Sequence, residues 1–286
     1  MKKVLVTGSE GQLGTSIRKA SGKFRDFICT FIDISDLDLA NTENVRRYFA
    51  TNYFDYIINC AGYTAVDQAE MNPQTAFSIN GYVPQLLSEV CQKGTRLIHM
   101  STDYVYDGSK NVPHSEDDIP EAISIYALSK LAGEKALWNN PDCLIIRTSW
   151  LYGEHGNNFL KTIIRLSEER NEIGVVYDQA GTPTYSGDLA EVLFGILIQS
   201  ELSSFKAGIF NYSNEGVCSW YDFACEIVNF TGGKCRIKPI RTHEYPVPAH
   251  RPVYSVMDKS KIKRIFGIEI PHWRESLQLA MKNLSG

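Results

Sequence analysis

Residues 3–14 read KVLVTGSEGQLG, and the order of features in them decides the fold class. A short run of β-forming residues ends at Gly8, and glycine recurs at positions 11 and 14 as the sequence turns helical over 12–23. A strand that feeds a glycine-rich turn and then a helix opens a dinucleotide-binding α/β unit. Each glycine has a physical task there. Gly8 permits the tight turn, Gly11 lets the backbone approach a pyrophosphate at the helix N-terminus, and Gly14 lets helix and strand pack closely. The same letters outside this context would describe only a flexible turn.

Outward from that turn, strand and helix alternate. Continuous apolar runs at 27–32 (FICTFI), 56–60 (YIINC), 96–100 (RLIHM) and 144–148 (LIIRT) read as strands buried on both faces. Between them, 42–50, 73–93 and 126–139 read as helices, the first capped at 41 or 42 and the second with Pro73 in its first turn. Strand–helix repetition implies parallel pairing with right-handed crossovers. The expected architecture is a Rossmann-type, doubly wound parallel α/β sheet over roughly the first 150 residues, with a smaller mixed α/β substrate domain towards the C-terminus. In the second half, helices are expected at 158–170, 187–199, 219–230, about 258–266 and 272–284. Strands are expected at 173–177, 208–212 and 234–240, and a proline-bearing loop at 241–256.

The chain has 286 residues, of which 43% are hydrophobic and 22% charged, with a net charge of −4. That size supports a large core, and the charge gives nucleic acid no basic footprint. No apolar run approaches a membrane span, and the apolar start is read as a strand rather than a leader. The seven cysteines form no C-x-x-C, which suits reduced thiols in a cytoplasmic protein, and no cluster calls for a metal.

Two further positions extend the dinucleotide reading. Asp33 ends the second strand, where a carboxylate binds adenine-ribose hydroxyls and repels a 2′-phosphate. NADH is therefore expected to be slightly favoured over NADPH. In SIYALSKLAGEK (124–135), Tyr126 and Lys130 stand one helical turn apart. As an isolated pair they would be surface decoration. The fourth strand, however, runs into MSTDYVYDG, which sets Ser101 and Thr102 at the carboxyl edge of the sheet, where ligands bind in such folds. A hydroxyl, a phenol and an amine then converge beside the dinucleotide site.

This constellation resembles the short-chain dehydrogenases/reductases, in their extended, sugar-nucleotide branch. The segments GQLG, AGYTAVDQAE, STDYVYDG, YALSKLAGE, RTSWLYG, GNNF, DQAGTPT and RP occur in that order. Together they resemble the dTDP-4-dehydrorhamnose reductases over residues 1 to about 260. One departure stands out: the family's tyrosine motif usually reads Y-G-x-S/T-K, and Ala127 replaces that glycine.

The resemblance implies NAD(P)H-dependent reduction of the C4 keto group of dTDP-4-dehydro-L-rhamnose. It implies Tyr126, Lys130 and Thr102 as catalytic residues. The cofactor would touch Gly8, Gly11, Gln12, Leu13, Gly14, Asp33, Asp38, Leu39, Gly62, Tyr63 and Thr64, besides Tyr126 and Lys130. Thr102, Asp103, Trp150 and Arg251 would face the sugar nucleotide, and Asn80 would position a water or backbone group unless it is plainly structural. Residues 1–153 with about 184–215 would bind the dinucleotide, and about 154–183 with 216–286 the substrate. Lys130 is expected to pull the Tyr126 pKa below its ordinary value near ~10. Some members pair as homodimers, and no interface is legible in one chain. Two alternatives stay open. An epimerase or 4,6-dehydratase of the same branch is one, although a dehydratase needs an Asp-Glu pair where Asp103-Tyr104 stands. A non-catalytic regulatory subunit of the methionine adenosyltransferase type is the other.

Overall fold

The computed structural model describes residues 1–285. The first half runs β1 (Lys2–Thr7), α1 (Gln12–Ser21), β2 (Phe27–Ile32), α2 (Thr42–Thr51) and β3 (Tyr56–Asn59). Then come α3 (Val66–Met71), α4 (Pro73–Phe77), a π turn at Ser78–Tyr82, α5 (Val83–Val90), β4 (Arg96–Thr102), α6 (Ile125–Leu137) and β5 (Cys143–Thr148). The second half holds β6 (Leu151–Tyr152), α7 (Phe159–Glu169), β7 (Glu172–Val176), β8 (Ala180–Gly181), β9 (Thr184–Tyr185) and α8 (Ser186–Leu202). It ends with β10 (Gly208–Tyr212), β11 (Cys218–Ser219), α9 (Trp220–Thr231), β12 (Arg236–Ile240), α10 (Ser260–Phe266) and α11 (Trp273–Ser285).

Six strands form one parallel sheet in the order β10-β5-β4-β3-β1-β2. The order reverses between β1 and β3, and a doubly wound sheet opens its ligand crevice at the carboxyl ends beside such a reversal. One face is covered by α1, α8 and α10, whose Ile17, Leu193, Phe194 and Ile262 are buried on Val4, Val6 and Ile98. Phe24 stacks on Phe194 at 4.4 Å. This double cover explains why α8 reads as apolar all round. The other face carries α2, α5 and α6, with Val45, Leu86 and Leu137 over Leu5, Ile57 and Leu97. Fully burying each such side chain is worth about 1.5–3 kcal/mol. A third core joins α7, α9, α11 and β7 around Leu160, Phe223 and Trp273. Its α9 begins with a reciprocal capping box between Ser219 and Asp222.

Two expectations are corrected here, and one element was unforeseen. FICTFI is not buried on both faces: β2 is the sheet edge, and Ile28 is 48% exposed. The span 73–93 is not one regular helix, because the π turn interrupts it and it stops at Val90. The short α3 precedes it and buries only Ala69, too little to impose a readable period.

Candidate active site

A cleft of about 790 Å³ lies at the carboxyl ends of the sheet, over the β1/β3 reversal. Its floor is the glycine turn. Gly8 has φ +63, in the left-handed region that only glycine enters freely. A Cβ on Gly8 would lie 2.6 Å from the Ala61 amide nitrogen, in the turn after β3. A Cβ on Gly14 would lie 2.4 Å from the Gly8 carbonyl oxygen. At Gly11, by contrast, only the Gly8 carbonyl oxygen comes near, at 3.2 Å, so this position stays open to the cleft. Gln12 and Leu13 begin α1, whose first turn carries no acidic residue, so its N-terminal N–H groups are free to meet an anion.

Asp33, at the end of β2, accepts hydrogen bonds from the Glu10 and Ile34 amides, both at 2.8 Å. Asp38 and Leu39 line the cleft beside it. Glu10, whose amide binds Asp33, is itself paired with a cation from α1. Arg18 pairs with Glu10 at 2.7 Å and lies over the Phe31 ring at 4.6 Å.

Gly62, Tyr63 and Thr64 form the next part of the wall. Asn80 holds them: its Oδ1 accepts from the Tyr63 amide at 2.8 Å, and its Nδ2 donates to the Tyr63 carbonyl at 3.0 Å and to Ser129 Oγ at 3.0 Å. Asn80 thus positions a backbone segment from the π turn. Such turns recur at functional sites.

On the opposite wall stand Thr102, Asp103, Tyr126 and Lys130, all lining the cleft and all buried. Ser124 caps α6, its Oγ accepting from the Ala127 amide at 3.2 Å. Ala127 is buried, and α6 runs through it without interruption. Tyr126 lies edge-on to Tyr104 at 5.4 Å between centroids. Burial pushes its phenol up to about 12, and the Thr102 hydroxyl opposes that rise. The expected lowering by Lys130 is therefore not realised: burial dominates, Asp103 adds to the rise, and only Thr102 opposes it. Lys130 Nζ donates to the Met100 carbonyl at 3.1 Å, and burial lowers its amine to about 8. Gly62 leaves it room, since a Cβ there would sit 2.9 Å from Nζ. Asp103 accepts from Thr102 Oγ1 at 3.1 Å, while its Oδ2 has no hydrogen-bond partner among the described residues. Burial pushes its carboxyl up to about 7, against the opposing influence of Ser255 and Thr102.

Trp150 also lines the cleft, at φ +47, a rare backbone for a bulky residue. Its ring stacks on Trp220 at 3.6 Å, and Gly181 makes room beneath it, where a Cβ would lie 2.6 Å away. Arg251 is not brought into the lining. It bonds Asp67 at 2.9 Å, at the edge of the cleft beside Tyr104. The segment GNNF supplies lining that sequence reading left unassigned: Gly156 and Asn157 face the cleft, and Asn158 Nδ2 donates to Gln12 Oε1 at 3.0 Å.

The geometry suits a dinucleotide along the glycine turn and a second ligand against the Thr102 and Trp150 walls. The sequence model of the family described as RmlD substrate binding domain matches residues 1–285. A dTDP-4-dehydrorhamnose reductase of Aggregatibacter actinomycetemcomitans is 39% identical over 97% of this chain and 98% of its own length. The chain belongs to the dTDP-4-dehydrorhamnose reductase family. A reductase of that name from Clostridium acetobutylicum superposes with a TM-score of 0.93 at 38% identity, covering 99% of this chain and 100% of that one. Another, from Bacillus anthracis in complex with NADP, superposes at 0.90 with 36% identity, covering 99% of each chain. The spore coat polysaccharide biosynthesis protein SpsK of Bacillus subtilis is 39% identical over 97% of this chain and 96% of its own. Among the described residues of this reductase-family chain, no three His, Cys, Asp or Glu are grouped to hold a metal, and no helix is long and apolar enough to cross a membrane.

Proposed function

We propose that this chain catalyses the NAD(P)H-dependent reduction of the C4 keto group of dTDP-4-dehydro-L-rhamnose to dTDP-L-rhamnose. The observation that carries this reading is the buried Thr102–Tyr126–Lys130 wall facing the glycine turn across one cleft. The residues fit a nicotinamide dinucleotide. Gly8, Gly11 and Gly14 leave a cradle that side chains would fill, and the α1 N-terminus, Asp33, Gly62 and Lys130 stand where pyrophosphate and riboses need partners. When bound, that cofactor supplies the hydride and the protein supplies alignment. Asp33 gives NADH a slight advantage, because its carboxylate repels a 2′-phosphate.

Tyr126 Oη holds the proton that the ketone oxygen takes as it becomes a hydroxyl. With its phenol near 12, that proton is in place throughout the neutral range. The Thr102 hydroxyl, turned from Asp103, donates its one proton to the same ketone oxygen and stabilises charge as it develops. Lys130, an ammonium over most of the neutral range, steadies that charge and anchors the nicotinamide ribose. Asp103 and Trp150 orient the sugar. Residues 1–153 with about 184–215 serve the cofactor, and about 154–183 with 216–286 serve the substrate. Within the second set α10 departs from that division, since Ile262 and Phe266 pack on the cofactor half, and Gly286 lies outside the described residues. Seven cysteines without a disulfide support a cytoplasmic setting. The test is to follow NADH absorbance with dTDP-4-dehydro-L-rhamnose present. Oxidation that requires the sugar nucleotide supports the reading, and none under any condition overturns it.

A further inference from the structure

One buried ionisable group plays no part in that chemistry. Glu134 is fully buried and sits one helical turn beyond Lys130, so Tyr126, Lys130 and Glu134 share one face of α6. All three reach β4. Tyr126 stands beside the Thr102 hydroxyl, Lys130 binds the Met100 carbonyl, and Glu134 accepts a short hydrogen bond from Ser101 Oγ. The helix therefore grips three consecutive residues of the strand. Behind Glu134, Arg147 on β5 donates to its two oxygens, through Nε at 3.0 Å and Nη2 at 2.6 Å, and through Nη1 to Tyr106 Oη at 2.8 Å. The titratable groups facing the Lys130 amine come from three elements. The Cys60 thiol, after β3, is pushed by burial to about 12, and the His99 imidazole, on β4, is held well below its usual range. Both are neutral near pH 7. Cys60 and then Glu134 act to raise the Lys130 amine against burial, and with the thiol neutral near pH 7 the nearby anion is Glu134, itself paired with Arg147.

We propose that Glu134 is a positioning residue of the active site: it fixes α6 against Met100–Thr102 and supplies the buried negative charge that keeps Lys130 an ammonium. The inference rests on the reductase reading for Lys130's role, but its deciding measurement does not need the sugar. NADH affinity, followed by cofactor fluorescence across pH, reports the Lys130 charge at its proposed ribose contact. In the natural protein, affinity is expected to fall as pH rises through about 8. Removing an anion lowers a neighbouring amine's pKa, so E134Q should lose affinity at least about one pH unit lower.

E134Q leaves Arg147 buried without its partner and so threatens folding. The double variant E134Q/R147M removes both charges and must still move the limb to lower pH, though by less than E134Q, because the Arg147 cation goes with the carboxylate. S101A, which keeps the carboxylate, must lower kcat without moving the limb, and E134D must restore the limb. A falling limb that stays in place in E134Q/R147M, with only thermal stability reduced, would reduce the pair to plain scaffolding and overturn the inference. An undisturbed natural profile with no sugar reduction would instead count against the reductase reading alone.

Discussion

Asp103 is 1% exposed, with one carboxylate oxygen bonded to Thr102 and the other unpartnered. Its folded-state pKa of about 7 lies above the ordinary 3.8, so folding favours the protonated acid. Below pH 4 both states hold the proton, and Asp103 carries no penalty. As pH rises to 7 the unfolded chain releases the proton first, and stability drains away. At about 1.4 kcal/mol per pH unit, the gap is worth ~4 kcal/mol at most. Asp103→Asn should therefore match the natural protein near pH 4 and exceed its melting temperature at pH 8. Equal melting curves at both pH values would mean the carboxylate finds a partner when it ionises. Tyr126 carries the complementary prediction. Its proton is held to about 12, so Tyr126→Phe should lower kcat by roughly 10²–10⁴-fold while NADH affinity stays within about threefold. Near-normal turnover in that variant would remove the phenol from the proton path.

The π turn between α4 and α5 matters because of what it aims at the cleft. Asn80 makes three hydrogen bonds from it, two of them to the backbone of Tyr63, and Gly133 of α6 approaches so closely that a Cβ would lie 2.2 Å from the Asn80 carbonyl. Asn80→Ala leaves the Tyr63 N–H and C=O without those partners. Each partly buried orphan costs about 1 kcal/mol or more, so ~2–3 kcal/mol of stability should be lost, read as a lower urea midpoint. The KM for NADH should rise alongside, since Tyr63 borders the cleft. A variant with lower stability and unchanged KM would mark Asn80 as structural only. The turn itself was illegible in sequence, because one extra residue per turn does not disturb an apolar run. Asn80 could be singled out but its partners could not. What was legible had local causes: the glycines at 8, 11 and 14, the Tyr126–Lys130 spacing, the Ser219–Asp222 capping box and the strand GIFNY. The two-residue strands β6, β8, β9 and β11 are too short to carry a period. The raised phenol and carboxyl depend on burial, which spacing does not report.

At the scale of the molecule, the second half of the proline-bearing loop laces separate regions together. The Ala249 amide and Arg251 both bind Asp67 on α3, Pro252 packs where Gly108 has no side chain, and Ser255 bridges to Ala180. The Val256 carbonyl accepts from the His114 amide. These partners lie up to 184 residues apart in sequence, which is why the Arg251–Asp67 pair had no local signature. The pair is 25% and 37% exposed, and such ion pairs are worth about 1 kcal/mol or less. Arg251→Ala should therefore barely move the melting temperature. If the guanidinium turns from Asp67 to the diphosphate of the sugar nucleotide, the same variant forfeits a charged hydrogen bond worth about 1.5–3 kcal/mol. The KM for the dTDP-sugar should then rise roughly ten- to a hundredfold, with the KM for NADH unchanged. Asp67→Ala separates the two roles of the arginine. It removes the tether but leaves the cation, so sugar-nucleotide binding should hold or tighten. If both variants weaken binding equally, the ion pair shapes the cleft edge and Arg251 makes no contact with the diphosphate.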